Sequence, residues 1–364
     1  MKFLRILLFP FSIVYGILLL LRNKLYDWGI FSSEKFNIPI ISVGNLTVGG
    51  TGKTPHIEYL IRLLSPEFFI ATLSRGYGRK TKGFVLSDVD STVSDIGDEP
   101  LQFKKKFIEI PVAVDAKRVR GVKKIVELFP SLQTVLLDDA FQHRAISSGL
   151  SIVLTDFHKL YFNDFVMPTG SLREFRSGIK RADIIIVTKC PEVLLPIERK
   201  RLISEINPLP HQKIYFSTIK YGEFVPLNSG TIAPFSKVYY FEKHYSIVLF
   251  TGIANTQPLE YYLKDQIKTI IPAKFPDHHS FTINDLLTVK KIFDNIASAN
   301  KIILTTEKDA MRLKEPEFSS ILNNLPLFYM PIEIEFNDKD KNEFNEQIIQ
   351  YVKTNKKYGS IYSK

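Results

Sequence analysis

Residues 39–64, PIISVGNLTVGGTGKTPHIEYLIRLL, join a short apolar run to a glycine turn and then to a helical repeat. Ile40 to Val43 has the length and character of a buried strand, and Ile57, Leu60, Ile61 and Leu64 recur at helical spacing. Between them stand Gly49-Gly50-Thr51-Gly52 and Lys53-Thr54. Glycines let backbone N–H groups converge on an anion, and the helix N-terminus adds its dipole. Lys53 is placed to reach terminal phosphates and Thr54 to hold Mg²⁺. Pro55 suits a first helical turn, where its missing N–H has no partner to lose. The strict phosphate-loop pattern has Gly at position 47, where this chain has Thr47. A variant pattern has a second lysine at 48, where this chain has Val48. Thr47, Val48, Gly49, Gly50, Thr51, Gly52, Lys53 and Thr54 are the expected phosphate cradle.

A second signal lies at Thr134-Val135-Leu136-Leu137-Asp138-Asp139, an apolar strand ending in two acids. Magnesium-holding strands of cradle NTPases end this way. Gln142, His143 and Arg144 follow directly. Asp98 and Glu99 stand adjacent on a turn, which points them in different directions. Asp98 is a candidate base or magnesium neighbour, with a helix cap as the plainer reading. Arg75, Arg79 and Lys80 make a basic loop with Gly76 and Gly78 at a strand end, where ligands of open α/β sheets gather. Arg173-Glu174 opens a further turn. Thr188-Lys189-Cys190-Pro191 sits where GTPases read guanine, but Pro191 replaces the aspartate that accepts the guanine N–H groups, which favours ATP.

The chain of 364 residues, 45% hydrophobic and 24% charged, has a globular composition and the length of two domains or one large one. A single cysteine, Cys190, excludes an internal disulfide framework and reads as a small core residue in a reducing compartment. The net charge of +10 fits an anionic membrane surface or a phosphorylated substrate; without zinc-finger or aromatic RNA-binding motifs, nucleic acid ranks last. From Arg5 to Arg22 no charged residue intervenes. This stretch is apolar all round and spans about 24 Å as a helix, against a bilayer core of about 30 Å. Lys2, Arg5, Arg22 and Lys24 bracket it. It reads as a membrane-dipping anchor; a buried core helix and a secretory signal are the competing readings.

Later, strand-like runs at Val238–Phe241, Ser246–Phe250, Lys301–Thr305 and Leu327–Ile334 alternate with helical patterns. Residues 339–364 read as a charged helix that frays. The adjacent His278-His279 pair lacks the further ligands zinc needs and fits an acid/base or orienting role.

VGNLTVGGTGKTP at 43–55, SRGYGR at 74–79, GDEP at 97–100, LDDAFQHR at 137–144, GSLRE at 170–174, TGIANTQP at 251–258, FPDHHSF at 275–281 and TEKDAMRL at 306–313 occur in that order. The set resembles the tetraacyldisaccharide 4′-kinases, the lipid A 4′-kinases of Gram-negative bacteria. The resemblance implies a P-loop NTPase-like α/β/α sandwich with a smaller α/β lobe joined by a β-linker. The corresponding segments are an anchor at 1–24, a kinase domain at 25–220, a linker at 221–245, a second lobe at 246–335 and a tail at 336–364. It implies ATP and Mg²⁺ as cofactors, and a tetraacyldisaccharide 1-phosphate acceptor at the cytoplasmic face of the inner membrane. An Asp–His dyad would fall on Asp98 and on His278 or His279, the Asp277-His278 pair fitting the family's Asp-His more closely. Magnesium-side acids would fall on Asp138 and Asp139, with Glu99 and Glu174 nearby. Arg75, Tyr77, Gln142, His143, Arg173 and Glu174 are the expected acceptor contacts. The runner-up is a membrane-associated P-loop switch or metallochaperone without an acceptor. Oligomeric state stays open.

Overall fold

A computed structural model describes residues 8–228, 236–323 and 325–355. Expectations for 1–7, for linker residues 229–235 and for tail residues 356–364 lie outside the described residues. Eight strands come first: β1 (Ile40–Asn45), β2 (Ile70–Ser74), β3 (Val85–Leu86), β4 (Val112–Val114), β5 (Thr134–Asp138), β6 (Leu150–Asp156), β7 (Ile184–Cys190) and β8 (Lys213–Tyr221). A second group follows, β9 (Val225–Pro226), β10 (Ser246–Thr251), β11 (Thr269–Lys274), β12 (Lys301–Thr306) and β13 (Leu327–Met330), and then β14 (Ile332–Phe336). They form a nine-stranded sheet in the order β14-β8-β7-β6-β1-β5-β2-β4-β3 and a five-stranded sheet in the order β11-β10-β12-β13-β9.

The interior of the larger sheet is parallel, with antiparallel β3 and β14 at its edges. Parallel strands are covered on both faces and so read as unbroken apolar runs; all six residues of β1 are buried. On one face Ile41 and Val43 pack with Ile57, Leu60 and Leu64 of helix Lys53–Leu64 and with Phe344, Ile348 and Val352 of helix Asp338–Asn355. On the other, Ile40, Leu73 and Leu137 pack with Val122 and Ile125 of helix Arg118–Leu128. The chain leaves β1 between its neighbours β5 and β6, where the direction of winding reverses and a crevice opens at the strand ends.

The smaller sheet repeats this logic, with Val248 and Phe250 facing helix Ile283–Asp294 and Ile247 and Leu249 facing helix Gln257–Lys264. Helices Asp98–Lys106 and Glu307–Leu313 join the two units, Leu101 and the preceding Ile96 packing with Ala310 and Met311.

Three expectations need correction. Val238–Phe241 is not a strand but lies in helix Lys237–Glu242, whose buried Tyr240 packs on Phe224 and Phe328. The run 327–334 is two strands in different sheets. Pro331, without an N–H, interrupts the ladder, and the chain crosses beside Gly222, whose N–H donates to the Pro331 carbonyl at 2.8 Å. β14 therefore belongs to the larger sheet, which the chain leaves after β8 near Gly222 and re-enters after Pro331. The tail is helical through Asn355, as expected, and this helix closes one face of the larger core. Finally, the N-terminal helix, Phe9–Asp27, does have two faces. Ser12 and Gly16 are buried, and Ser12 Oγ donates to Thr169 Oγ1 at 2.6 Å. Phe11, Val14, Leu18 and Leu21 stay exposed, as do Ile13, Ile17 and Leu20.

Candidate active site

A cavity of about 680 Å³ opens between the two units at the C-terminal end of β1. Val48 to Thr54 form one wall of it. Gly52 caps helix Lys53–Leu64 at φ +88°, a left-handed conformation that glycine adopts without steric cost. The loop is braced from behind. Asn45 Nδ2 donates to Thr51 Oγ1 at 2.8 Å, and Thr188 Oγ1 donates to the Thr51 carbonyl at 3.0 Å. Buried His56 bridges the Gly52 carbonyl at 2.6 Å and Ser217 Oγ at 3.1 Å, and burial pulls its pKa down to about 4, so the ring is neutral. Thr47 is buried behind the loop and does not reach the cavity.

Lys53 Nζ lies 3.6 Å from Asp139 Oδ1. Arg173 Nη1 holds both oxygens of Asp139, at 2.8 and 2.9 Å. Burial raises the Asp139 carboxyl, but Lys53 and Arg173 outweigh it and hold the group below the ordinary range. Asp138 differs. Burial, Glu99 and Asp139 push it up to about 7, and its Oδ1 is buried without a partner. The orphaned Asp138 oxygen lies on the cavity that Thr54 and Glu99 also line, and an unpartnered acidic oxygen there suits a divalent cation. Among the described residues no group of three or more His, Cys, Asp or Glu is placed to hold a metal ion. Mg²⁺ at a nucleotide takes one or two carboxylates and keeps water and phosphate oxygens as its other ligands.

Across the cavity, Asp98 begins helix Asp98–Lys106 after Gly97. Its Oδ2 is 3.0 Å from His278 Nδ1. Burial raises this carboxyl, but the His278 hydrogen bond and the charges of Lys308 and Arg312 prevail, leaving it below the ordinary value. His279 instead bonds Asp285 at 3.0 Å, so His278 is the histidine that meets Asp98. Tyr77, 65% exposed, lays its ring 4.7 Å from that of His278.

Of the expected acceptor contacts, Arg75, Tyr77, Gln142, His143 and Arg173 line the cavity. Burial, with Arg118 and Arg75 nearby, lowers the His143 pKa to about 4. Glu174 is the exception. It is buried and does not line the cavity, and its carboxylate is taken by Arg181, Gln142 and Asn23 at 2.8–3.1 Å. It acts as a buried strut, opposite in role to a ligand contact. Several lining residues carried no usable signal. Tyr15 and Leu19 sit in a stretch read as uniformly apolar, Arg22 is a bracketing charge expected at lipid headgroups, and Ile219, Tyr221 and Ile332 come from the crossing between sheets. Lys308 lies in TEKDAMRL, a motif whose chemistry only the fold reveals.

The chain resembles known proteins along nearly all of its length. The family model for tetraacyldisaccharide-1-P 4′-kinase, LpxK, matches residues 4–353. A tetraacyldisaccharide 4′-kinase of Phocaeicola vulgatus is 43% identical over 351 residues, covering 96% of this chain and 95% of the relative. One from Flavobacterium johnsoniae is 44% identical over 360 residues, covering 98% and 99%. The crystal structure of LpxK from Aquifex aeolicus in complex with ATP superimposes with a TM-score of 0.71 at 27% identity, covering 96% of this chain and 99% of that one. The match of the family model over residues 4–353, and relatives that are 43–44% identical across nearly the whole chain, show that the chain belongs to the tetraacyldisaccharide-1-phosphate 4′-kinase family.

Proposed function

We infer that this protein transfers the γ-phosphoryl group of ATP to the 4′-hydroxyl of a tetraacyldisaccharide 1-phosphate, with Asp98 as the base. The observation that carries the reading is the Asp98–His278 pair, 3.0 Å apart, on the same cavity as Lys53 and the glycine loop. The loop N–H groups and Lys53 bind the triphosphate. Mg²⁺ held by Thr54 and Asp138, with Asp139 and Glu99 beside it, would neutralise charge on the phosphate oxygens. Phosphoryl transfer through a loose transition state depends on such positioning and charge compensation more than on covalent help. Asp98, oriented by His278, takes the proton of the acceptor hydroxyl as its oxygen bonds to the γ-phosphorus and the bond to the bridging oxygen breaks, releasing ADP. Arg75, Tyr77, Gln142 and His143 line the same cavity and would contact the acceptor. A nucleotide-driven switch would use such a pair only to activate water, whereas the kinase reading gives it the acceptor hydroxyl.

The N-terminal helix supports a membrane-surface location. Phe11, Val14, Leu18 and Leu21 recur at helical spacing and are 51–65% exposed, while the opposite face packs on the protein. Among the described residues no helix is long and apolar enough to cross a bilayer. Monotopic docking on the cytoplasmic face, next to an acceptor that stays in the bilayer, fits both facts. The direct test is incubation with γ-labelled ATP, Mg²⁺ and a monophosphorylated tetraacyl disaccharide in detergent, followed by chromatography of the lipid. Label in the lipid is the expected outcome; ATP hydrolysis without labelled lipid would favour the switch.

A further inference from the structure

The stretch Thr306 to Leu313 has no part in the steps above, yet its side chains converge on the Asp98–His278 pair. The Thr306 hydroxyl accepts from the Asp309 N–H and starts helix Glu307–Leu313, which places Lys308 on the cavity wall and buries Asp309 and Arg312. Asp309 accepts from the Gly252 N–H at 3.0 Å, and Arg312 donates to the carbonyls of Gly252 and His279 at 3.0 and 2.9 Å. The His278 N–H donates to the same Gly252 carbonyl at 3.2 Å, and His278 itself is held at φ +56°. The loop carrying His278 is thus tied to this helix.

Lys308 Nζ lies 3.1 Å from His278 Nε2 and 3.2 Å from Glu99 Oε1. An ammonium group donates and cannot accept, so Nε2 must be the bare nitrogen. The single proton of a neutral imidazole then sits on Nδ1, directed at Asp98 Oδ2 3.0 Å away. The opposite tautomer would aim the Nδ1 lone pair at a carboxylate, a repulsive contact.

Resting on the kinase reading, we propose that Lys308 is a positioning residue of the pair: it selects the Nδ1–H tautomer of His278 and, reaching from the smaller unit to Glu99 on the larger, makes that selection depend on contact between the two. Lys308 acts on the pair, through His278 and by its charge 3.9 Å from Asp98 Oδ2, and not on the transferring group.

The test compares wild type with Lys308→Met and Lys308→Gln in full-length protein labelled with ¹⁵N-histidine, the His278 signals being assigned with His278→Ala. Nitrogen NMR of the wild type is expected to show Nδ1 protonated and Nε2 bare. In Lys308→Met the population shifts toward Nε2–H, and kcat falls about 10- to 100-fold, as for other orienting partners, with the KM for ATP within about threefold. Lys308→Gln, whose amide still donates, recovers part of kcat. Should Lys308→Met fail to fold, Lys308→Ser at this 21%-exposed side chain carries the same expectations. An unchanged tautomer in the methionine or serine variant overturns the proposal, and so does an unchanged kcat. The tautomer readout needs no acceptor, and wild-type transfer to the lipid needs no variant, so failure of this proposal and failure of the kinase reading are separable.

Discussion

Asp98 combines burial, a histidine partner and two nearby cations, and those three features set its expected behaviour. Asp98→Asn keeps the shape and removes the base. Turnover is expected to fall about 10²- to 10⁴-fold while ATP binding, followed by calorimetry, stays near wild type; turnover within a few-fold of wild type would remove Asp98 from the base role. The neighbouring Gly97 is at φ +91°, and a Cβ there would lie 2.7 Å from the Tyr77 carbonyl oxygen. Gly97→Ala therefore strains the backbone and forces the Tyr77 loop away, with an expected loss of about 1–3 kcal/mol in denaturant unfolding. Cys190 shows the inert counterpart of a functional residue. It is buried and donates to the Val187 carbonyl at 3.3 Å, and burial pushes its thiol up to about 12. Because the thiolate is the reactive form, iodoacetamide at pH 8.5 is expected to leave the native protein unlabelled and to label it once unfolded, as mass spectrometry would report.

Helices Lys53–Leu64, Asp98–Lys106 and Glu307–Leu313 meet in a buried ionic cluster. Glu58, with a side chain 0% exposed, accepts from Gln102 and Lys106 at 2.7 Å and from Arg62 at 3.2 Å. Lys106 also reaches Glu307 at 2.8 Å, so one lysine ties the cradle helix to the smaller unit. Lys106→Met leaves two buried carboxylates facing each other with only part of their compensation. A destabilisation of about 3 kcal/mol is expected, read from the denaturant midpoint at constant m; a change below about 0.5 kcal/mol would mean the cluster is solvated. At this scale local preference was a mixed guide. Helix Lys53–Leu64 followed from its apolar spacing. Helix Lys237–Glu242 did not, because Val238, Tyr239, Tyr240 and Phe241 are strand-favouring types, and contacts of Tyr240 with Phe224 and Phe328 outweigh that preference.

In the whole molecule, two crossings at Gly222 and Pro331 join the sheets, and the cavity lies beside them. The N-terminal helix belongs to the same assembly. Arg22 donates to the Gln142 carbonyl at 2.7 Å and Asn23 to Glu174 at 2.9 Å, while Tyr15 and Leu19 line the cavity. Deleting the helix would therefore disturb the site as well as any membrane contact. Point changes on the outer face separate the two effects. Leu18→Asp with Leu21→Asp is expected to reduce flotation with anionic vesicles several-fold while transfer to detergent-dispersed acceptor changes less than about twofold. Unchanged flotation would move the membrane contact to another surface.

The sequence alone determined what depends on neighbours along the chain: the glycine cradle, its strand and helix, the two acids ending β5, and the apolar runs of both parallel sheets. Each is a pattern of a few consecutive residues whose backbone chemistry is local. Tertiary structure decided what depends on residues far apart. It brought His278 rather than His279 to Asp98 across 180 positions, drew Lys308 onto that histidine, turned Glu174 into a buried strut and returned β14 to the first sheet. Side chains that meet only when two sheets dock leave no periodicity behind, because the contact is set by packing between elements and not by spacing within one.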